Sequence, residues 1–159
     1  DALTGVYNKE NTQNMIDEIL RKKDPDSFHG FLILDMDHFK EVNDVYGHAM
    51  GDKVLEMLGN FLKKQFREQD VIGRIGGDEF VILLYNIGSR QNMENRVKSL
   101  QEKIREIHMD GMEGHTFTLS AGIAFAPQDG DTFMELYQKA DLALYQVKRS
   151  GRNGYRIYK

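Results

Sequence analysis

A chain of 159 residues, 40% apolar and 29% charged, can bury the core of one domain and is too apolar to stay disordered. It has no cysteine, which excludes disulfides and thiolate metal sites and suits a reducing, cytoplasmic setting. No apolar run approaches the length of a bilayer span, so no direct membrane contact is expected of this domain. The net charge of −4 (21 basic against 25 acidic residues) excludes the basic field that polymeric nucleic acid requires, but not a nucleotide held with its own metal.

The chain opens on Asp1-Ala2-Leu3-Thr4-Gly5 without an initiator methionine, so the expectation is one domain, residues 1–159, of a longer sensor protein whose parent can be membrane-anchored. Asp1 to Asn8 is a turn-rich lead-in. Met15, Ile16, Ile19 and Leu20 recur at helical spacing within Lys9 to Lys23, and Asp24-Pro25-Asp26 stops that helix. Phe31-Leu32-Ile33-Leu34 is a continuous apolar run, read as a central strand that ends at Asp35-Met36-Asp37. Phe39 to Tyr46 reads as a short helix or turn broken by Gly47-His48. Asp52 to Phe66 is amphipathic through Val54, Leu55, Leu58, Phe61 and Leu62. Val71 to Ile75 and Phe80 to Tyr85 are two strands joined as a hairpin by Gly76-Gly77-Asp78-Glu79. Ser89 to His108 is a helix with Met93, Val97, Leu100, Ile104 and Ile107 on one face. Thr116 to Phe125 is a strand closed by Pro127. Phe133 to Lys148 is a helix, ended by Gly151 and Gly154, and Tyr155 to Tyr158 is a last strand. About five strands and four longer helices, with at least one hairpin, make the class α+β: a central, mainly antiparallel sheet flanked by helices. The methionines fall in helical stripes and read as core filler.

Two acidic clusters stand out. A turn needs at most one Asx-type residue, yet Asp78 and Glu79 sit together at the hairpin beside bare glycine backbone. Asp35 and Asp37 follow the apolar strand; each alone is a reasonable cap for the next segment. If the strand neighbours the hairpin, Asp35 and Asp78 converge with the Met36 carbonyl between them, an all-oxygen set suited to Mg2+ or Mn2+. Lys40 can neutralise a phosphate. Asn43 and Asp52 offer donors and acceptors to a base edge, and a carboxylate suits the N1-H and N2-H donors of guanine. Lys148 and Arg152 either meet the same phosphates or complement the dipole at a helix end.

These motifs, in this order, resemble those of GGDEF-domain diguanylate cyclases over essentially the whole chain. The resemblance rests on Asp1 to Asn8, Leu34-Asp35-Met36-Asp37-His38-Phe39-Lys40, Val42-Asn43-Asp44-Val45-Tyr46-Gly47-His48, Gly51-Asp52 and Arg74-Ile75-Gly76-Gly77-Asp78-Glu79-Phe80. Ser120 to Ala124 and Ala140 to Asn153 complete it. It implies a palm-like sheet core, as in nucleotidyl cyclases, that condenses two GTP into cyclic di-GMP and releases pyrophosphate. It implies metal binding by Asp35, the Met36 carbonyl and Asp78, with a pair of Mg2+ (or Mn2+) ions per half-site. Guanine recognition maps to Asn43 and Asp52, substrate contact to His48, and triphosphate binding to Lys40, Lys148 and Arg152. Gly76 and Gly77 admit the nucleotide, and Asp78, with Glu79 as support or alternative, is the proton acceptor. A homodimer is implied, because each domain holds one GTP. Arg67-Glu68-Gln69-Asp70, five residues before Gly76, matches an inhibitory site for the product, with Arg67 and Asp70 as its ligands. An isolated Arg and Asp at this spacing is a common surface pair of little energetic weight. Lys9-Glu10 departs from the arginines usual after Asn8, without touching a catalytic role. The alternative function is an inactive receptor that binds cyclic di-GMP or GTP; such relatives usually have a damaged signature, and this one is intact.

Overall fold

The computed structural model describes residues 1–159. In chain order the elements are α1 (Lys9–Arg21), β1 (His29–Met36), α2 (Phe39–Tyr46), α3 (His48–Gln65), β2 (Val71–Gly76), β3 (Glu79–Leu84), α4 (Arg90–Arg105), β4 (Leu119–Ala126), α5 (Phe133–Arg149) and β5 (Gly154–Ile157). The strands form one five-stranded sheet in the order β2-β3-β1-β4-β5. Every pairing is antiparallel except β4 with β5, which α5 connects as a crossover between parallel strands. The α+β, mainly antiparallel expectation holds.

Strand alternation sorts the core into two layers. Leu32, Leu34 and Met36 of β1 and Phe80, Ile82 and Leu84 of β3 pack against α3 and α4 through Leu58, Leu62, Met93, Val97 and Ile104. Phe31 and Ile33 of β1 and Val81 and Leu83 of β3 face the other way, onto Ile16 and Leu20 of α1 and Phe133, Leu136, Ala140 and Leu144 of α5. By the same alternation Asp35 and Glu79, the polar ends of those odd-numbered rows, lie on the α5 side of the sheet.

Several boundaries differ from the sequence reading. β1 begins at His29 and runs through Asp35 to Met36, because the main chain of Asp35 is paired on both sides, with Glu79 and Ser120. The break between α2 and α3 is Gly47 alone, at φ +91°, so α3 starts at His48 and puts Asp52 in its second turn. β4 begins at Leu119 rather than Thr116. Elsewhere polar side chains close the helix starts as their positions suggest: Asn8, Ser89 and Thr132 accept from the N–H groups of Asn11, Asn92 and Glu135. No helix is long and apolar enough to cross a membrane.

Candidate active site

The hairpin is tighter than four linking residues imply. Gly76 pairs with Glu79, leaving Gly77 and Asp78 as the turn, with a register shift between Arg74 and Gly76. Gly77 has φ +51°, the left-handed region that glycine enters without strain. The Arg74 Nε–H donates to the Gly77 carbonyl at 2.8 Å, and the same guanidinium meets the Asp1 carboxylate at 3.3 Å. Asp1 in turn accepts from the N–H and hydroxyl of Thr4, at 3.0 and 2.6 Å. The lead-in is therefore tied to the back of the turn. Only Asp78 stands at the tip; Glu79 opens β3, opposite Asp35 in the ladder.

The sequence prediction that the apolar strand neighbours the hairpin is met by the β1–β3 pairing, which brings Asp35 beside the Asp78–Glu79 pair. An open cleft of about 400 Å³ lies at this end of the sheet, lined among others by Asp35, Met36, Lys40, Asn43, Asp78, Lys148 and Arg152. Asp35 is nearly buried. The Lys148 Nζ donates to its Oδ2, while Oδ1 is buried without any hydrogen-bond partner. Burial pushes the Asp35 carboxyl up from its ordinary range, with Lys148 opposing. Burial, then the charge of Asp35, raises Asp78 to about 6. Burial likewise raises Glu79, against the hydrogen bond from Tyr137. For Lys148, burial works against the charge, but Asp35, Asp78 and Glu79 together outweigh it and hold the ammonium above its ordinary value. Three carboxyl groups thus share one lysine in a partly desolvated pocket.

That imbalance, with an orphaned oxygen on Asp35, fits a hard divalent cation. No three acidic or histidine side chains converge closely enough to hold one alone, so its shell would be completed by main-chain oxygen, phosphate and water, as Mg2+ prefers. Asp37 is differently occupied. Its carboxylate accepts from the Thr118 hydroxyl at 2.6 Å, the Ser120 hydroxyl at 2.5 Å and the Asn153 N–H at 3.0 Å. It clamps the β1–α2 turn to β4 and to the loop carrying Arg152. His38 follows at φ +59° and heads α2 without a side-chain cap. The start of α2, with Lys40 and Glu41 in its first turn, therefore lines the cleft with the dipole-positive end of a helix.

The other predicted residues are placed as follows. Asn43 lies on α2 against α3: a Cβ on Gly51 would fall 1.8 Å from its Oδ1, so Asn43 and Asp52 are brought near each other by the α2–α3 packing. Asp52 and His48 are exposed and stand outside the residues lining the cleft. Gly76 and Gly77 have nothing within 4 Å of a would-be Cβ and leave open backbone at the turn. Arg67 and Asp70 lie away from the cleft, and their states differ. The Asp70 side chain is fully buried, accepting from the N–H groups of Arg67 and Tyr85, each at 2.9 Å, and from the Arg67 guanidinium at 3.3 Å. Arg67 is 42% exposed and also donates to the Tyr85 carbonyl. Asp70 thus pins the start of β2 to the end of β3. Asp70→Ala is expected to lower unfolding free energy by about 2–3 kcal/mol in urea melts, because it strands buried N–H groups. Arg67→Ala removes the charged partner of that buried carboxylate and is expected to cost about 1–2 kcal/mol in the same melts.

Two contributors escaped the sequence reading. Tyr137 on α5 donates its hydroxyl to Glu79 Oε1. Asp141, one turn later, adds its negative charge to the field felt by Asp35, Glu79 and Tyr137. Their signal is the spacing Tyr137, Asp141, Lys148, which falls within an arc of about 40° on a helix.

The family model described as "Diguanylate cyclase, GGDEF domain" matches residues 1–154. The diguanylate cyclase DgcS of Shewanella oneidensis is 35% identical over 99% of this chain, which spans 52% of that relative and still less of several others. Among solved structures, the isolated GGDEF domain of TpbB (YfiN) from Pseudomonas aeruginosa superposes with a TM-score of 0.93 at 32% identity, covering 100% of this chain and 94% of that one. A microbial GGDEF domain studied in its interaction with cyclic di-GMP matches at a TM-score of 0.83 and 30% identity, covering 99% and 94%. The chain belongs to the GGDEF domain family, to which these named diguanylate cyclases are similar.

Proposed function

We propose that this domain is a diguanylate cyclase: the 3′-hydroxyl of one GTP attacks the α-phosphorus of a second, and pyrophosphate leaves, twice over, to give cyclic di-GMP. The observation that carries the reading is the buried, unpartnered Asp35 Oδ1, in a cleft that Asp78 lines together with Lys40, Lys148 and Arg152. Asp35, Asp78 and the Met36 carbonyl would hold Mg2+ or Mn2+, a pair per half-site, which supplies charge neutralisation at the phosphoryl oxygens and acidification of the attacking hydroxyl. The chain's own groups do the rest. Lys40 and the start of α2 receive phosphate oxygens, joined by Arg152. Lys148 reaches both the acids and the cleft, so its ammonium can exchange Asp35 for a phosphate. Asn43 and Asp52 read the guanine edge, with His48 flanking. Asp78 is the proton acceptor of this reading, with Glu79 beside it as support or alternative.

Each domain presents one such cleft, so two copies face each other for turnover, and bringing the two nucleotides together contributes much of the acceleration. Product would bind at Arg67, with Asp70 holding the guanidinium in place. The purified domain incubated with GTP and Mg2+ is expected to release cyclic di-GMP and pyrophosphate, with specific activity rising as protein concentration increases. Bound GTP without product at any concentration would identify a receptor instead; specific activity unchanged by dilution would remove the dimer requirement.

A further inference from the structure

Helix α5 reaches the acidic edge from two directions. At one end the Lys148 Nζ donates to Asp35 Oδ2; three turns earlier the Tyr137 hydroxyl donates to Glu79 Oε1. Asp35 and Glu79 are direct partners across the β1–β3 ladder, so both long side chains converge on one pair of carboxylates. The Tyr137 ring is held independently of that contact, stacked on Phe133 at 5.7 Å between centroids and 24° between planes. Phe133 is itself buried, edge-on to Phe31 of β1 at 5.6 Å. The hydroxyl is therefore delivered from a packed aromatic column that rests on the same strand as Asp35. Glu79 accepts no other side-chain hydrogen bond, so Tyr137 alone fixes its Oε1. A carboxylate on two further rotatable bonds would otherwise have several staggered positions beside like-charged neighbours. Asp141 adds repulsion from the solvent side, which makes an anchor more consequential.

We infer that Tyr137 is a positioning residue that anchors Glu79 against the Asp35–Asp78 pair, leaving Oε2 as the oxygen Glu79 offers to the site. The inference rests on the reading of this edge as a divalent-cation and nucleotide site. It concerns a residue outside the signature, acting through Glu79 rather than touching substrate. Outer groups that orient a metal-site carboxylate commonly alter metal affinity by tenfold or more when removed.

The test compares wild type, Tyr137→Phe, Glu79→Gln and the double variant. Phe keeps the stacking on Phe133 and removes only the hydroxyl, and thermal melts close to wild type will show that packing is intact. Mn2+ titration with a non-hydrolysable GTP analogue, read by electron paramagnetic resonance of free Mn2+, is expected to show roughly tenfold weaker retention in each single variant. The double variant should be no weaker than Glu79→Gln, because the tyrosine acts only through that carboxylate. Turnover should lose kcat with KM for GTP little changed. Multiplied losses in the double variant, or wild-type Mn2+ retention in Tyr137→Phe, would overturn the inference. A wild-type protein that retains Mn2+ and the analogue yet makes no cyclic di-GMP would sink the cyclase reading alone, since the titration still decides the role of Tyr137.

Discussion

Asp78→Asn is expected to reduce cyclic di-GMP synthesis by about 10³-fold or more and, at the same time, to make the metal-free domain harder to unfold at neutral pH. Both effects come from one position. On the proposed reading the side chain is a cation ligand and a base, and it is held where its charge is poorly solvated and faces Asp35. Its pKa is raised from 3.8 to about 6, so the fold prefers the neutral acid. Stability is full below the unfolded value and is lost as pH climbs through about 6. The gap corresponds to roughly 3 kcal/mol, and because the carboxyl is partly exposed, screening reduces this to about 1–2 kcal/mol. Removing the charge should raise the melting temperature by roughly 3–5 °C near pH 7.5, with the advantage shrinking toward pH 4.5. Melts of both proteins at the two pH values, alongside a turnover assay, check the pair of effects. Near-normal turnover would reject Asp78 as a ligand, and equal melting at neutral pH would reject the desolvation that raises its pKa.

Gly122→Ala is expected to be among the most damaging single-atom additions available to this chain. Gly122 lies in β4, between Ile33 of β1 and Arg156 of β5. A Cβ there would sit 2.0 Å from the Ala140 carbonyl oxygen and 2.6 Å from the Leu144 nitrogen, both backbone atoms of α5. No rotamer change relieves such a contact; the helix has to lift from the sheet. The cost is about 3 kcal/mol or more, at the upper end for overpacking, seen as a melting temperature lower by roughly 6–12 °C. Because α5 also carries Tyr137, Asp141 and Lys148, any protein that still folds should bind nucleotide more weakly. Urea unfolding measures the first effect, and titration with a GTP analogue the second. A loss below about 1 kcal/mol would mean that the helix rides on the sheet less closely.

Much of this architecture was legible from residue order, for reasons that differ element by element. Phe31 to Leu34 reads as a strand because it is buried on both faces. The same strand's last residues do not, since Asp35 breaks the apolar pattern while its backbone stays paired on both sides. The start of α3 was hidden because a positive-φ glycine, not a capping side chain, turns the chain between α2 and α3. Asp35, Met36, Asp78, Lys40, Asn43, Lys148 and Arg152 were legible as motif residues, and the fold gathers them around one cleft. His48 and Asp52 lie outside its lining. Tyr137 was legible only as sharing a helix face with Asp141 and Lys148; that this face meets Glu79 follows from the register of β3 against β1. Asp70 was read as half of a ligand site, and its burial adds a structural duty that spacing could not disclose.

The Asp37 clamp has a consequence for the order in which the domain assembles. Its partners Thr118, Ser120 and Asn153 lie 81, 83 and 116 residues further along the chain. Contacts of such separation close large loops and form late, after local helices and the hairpin have nucleated. The acids of β1 and the hairpin leave the ribosome long before the residues that lock their turn in place. A nascent chain therefore carries the acidic signature while 74 further residues, Phe80 to Asn153, are added, and the turn behind Asp35 is locked only when the segment leading into the last strand docks.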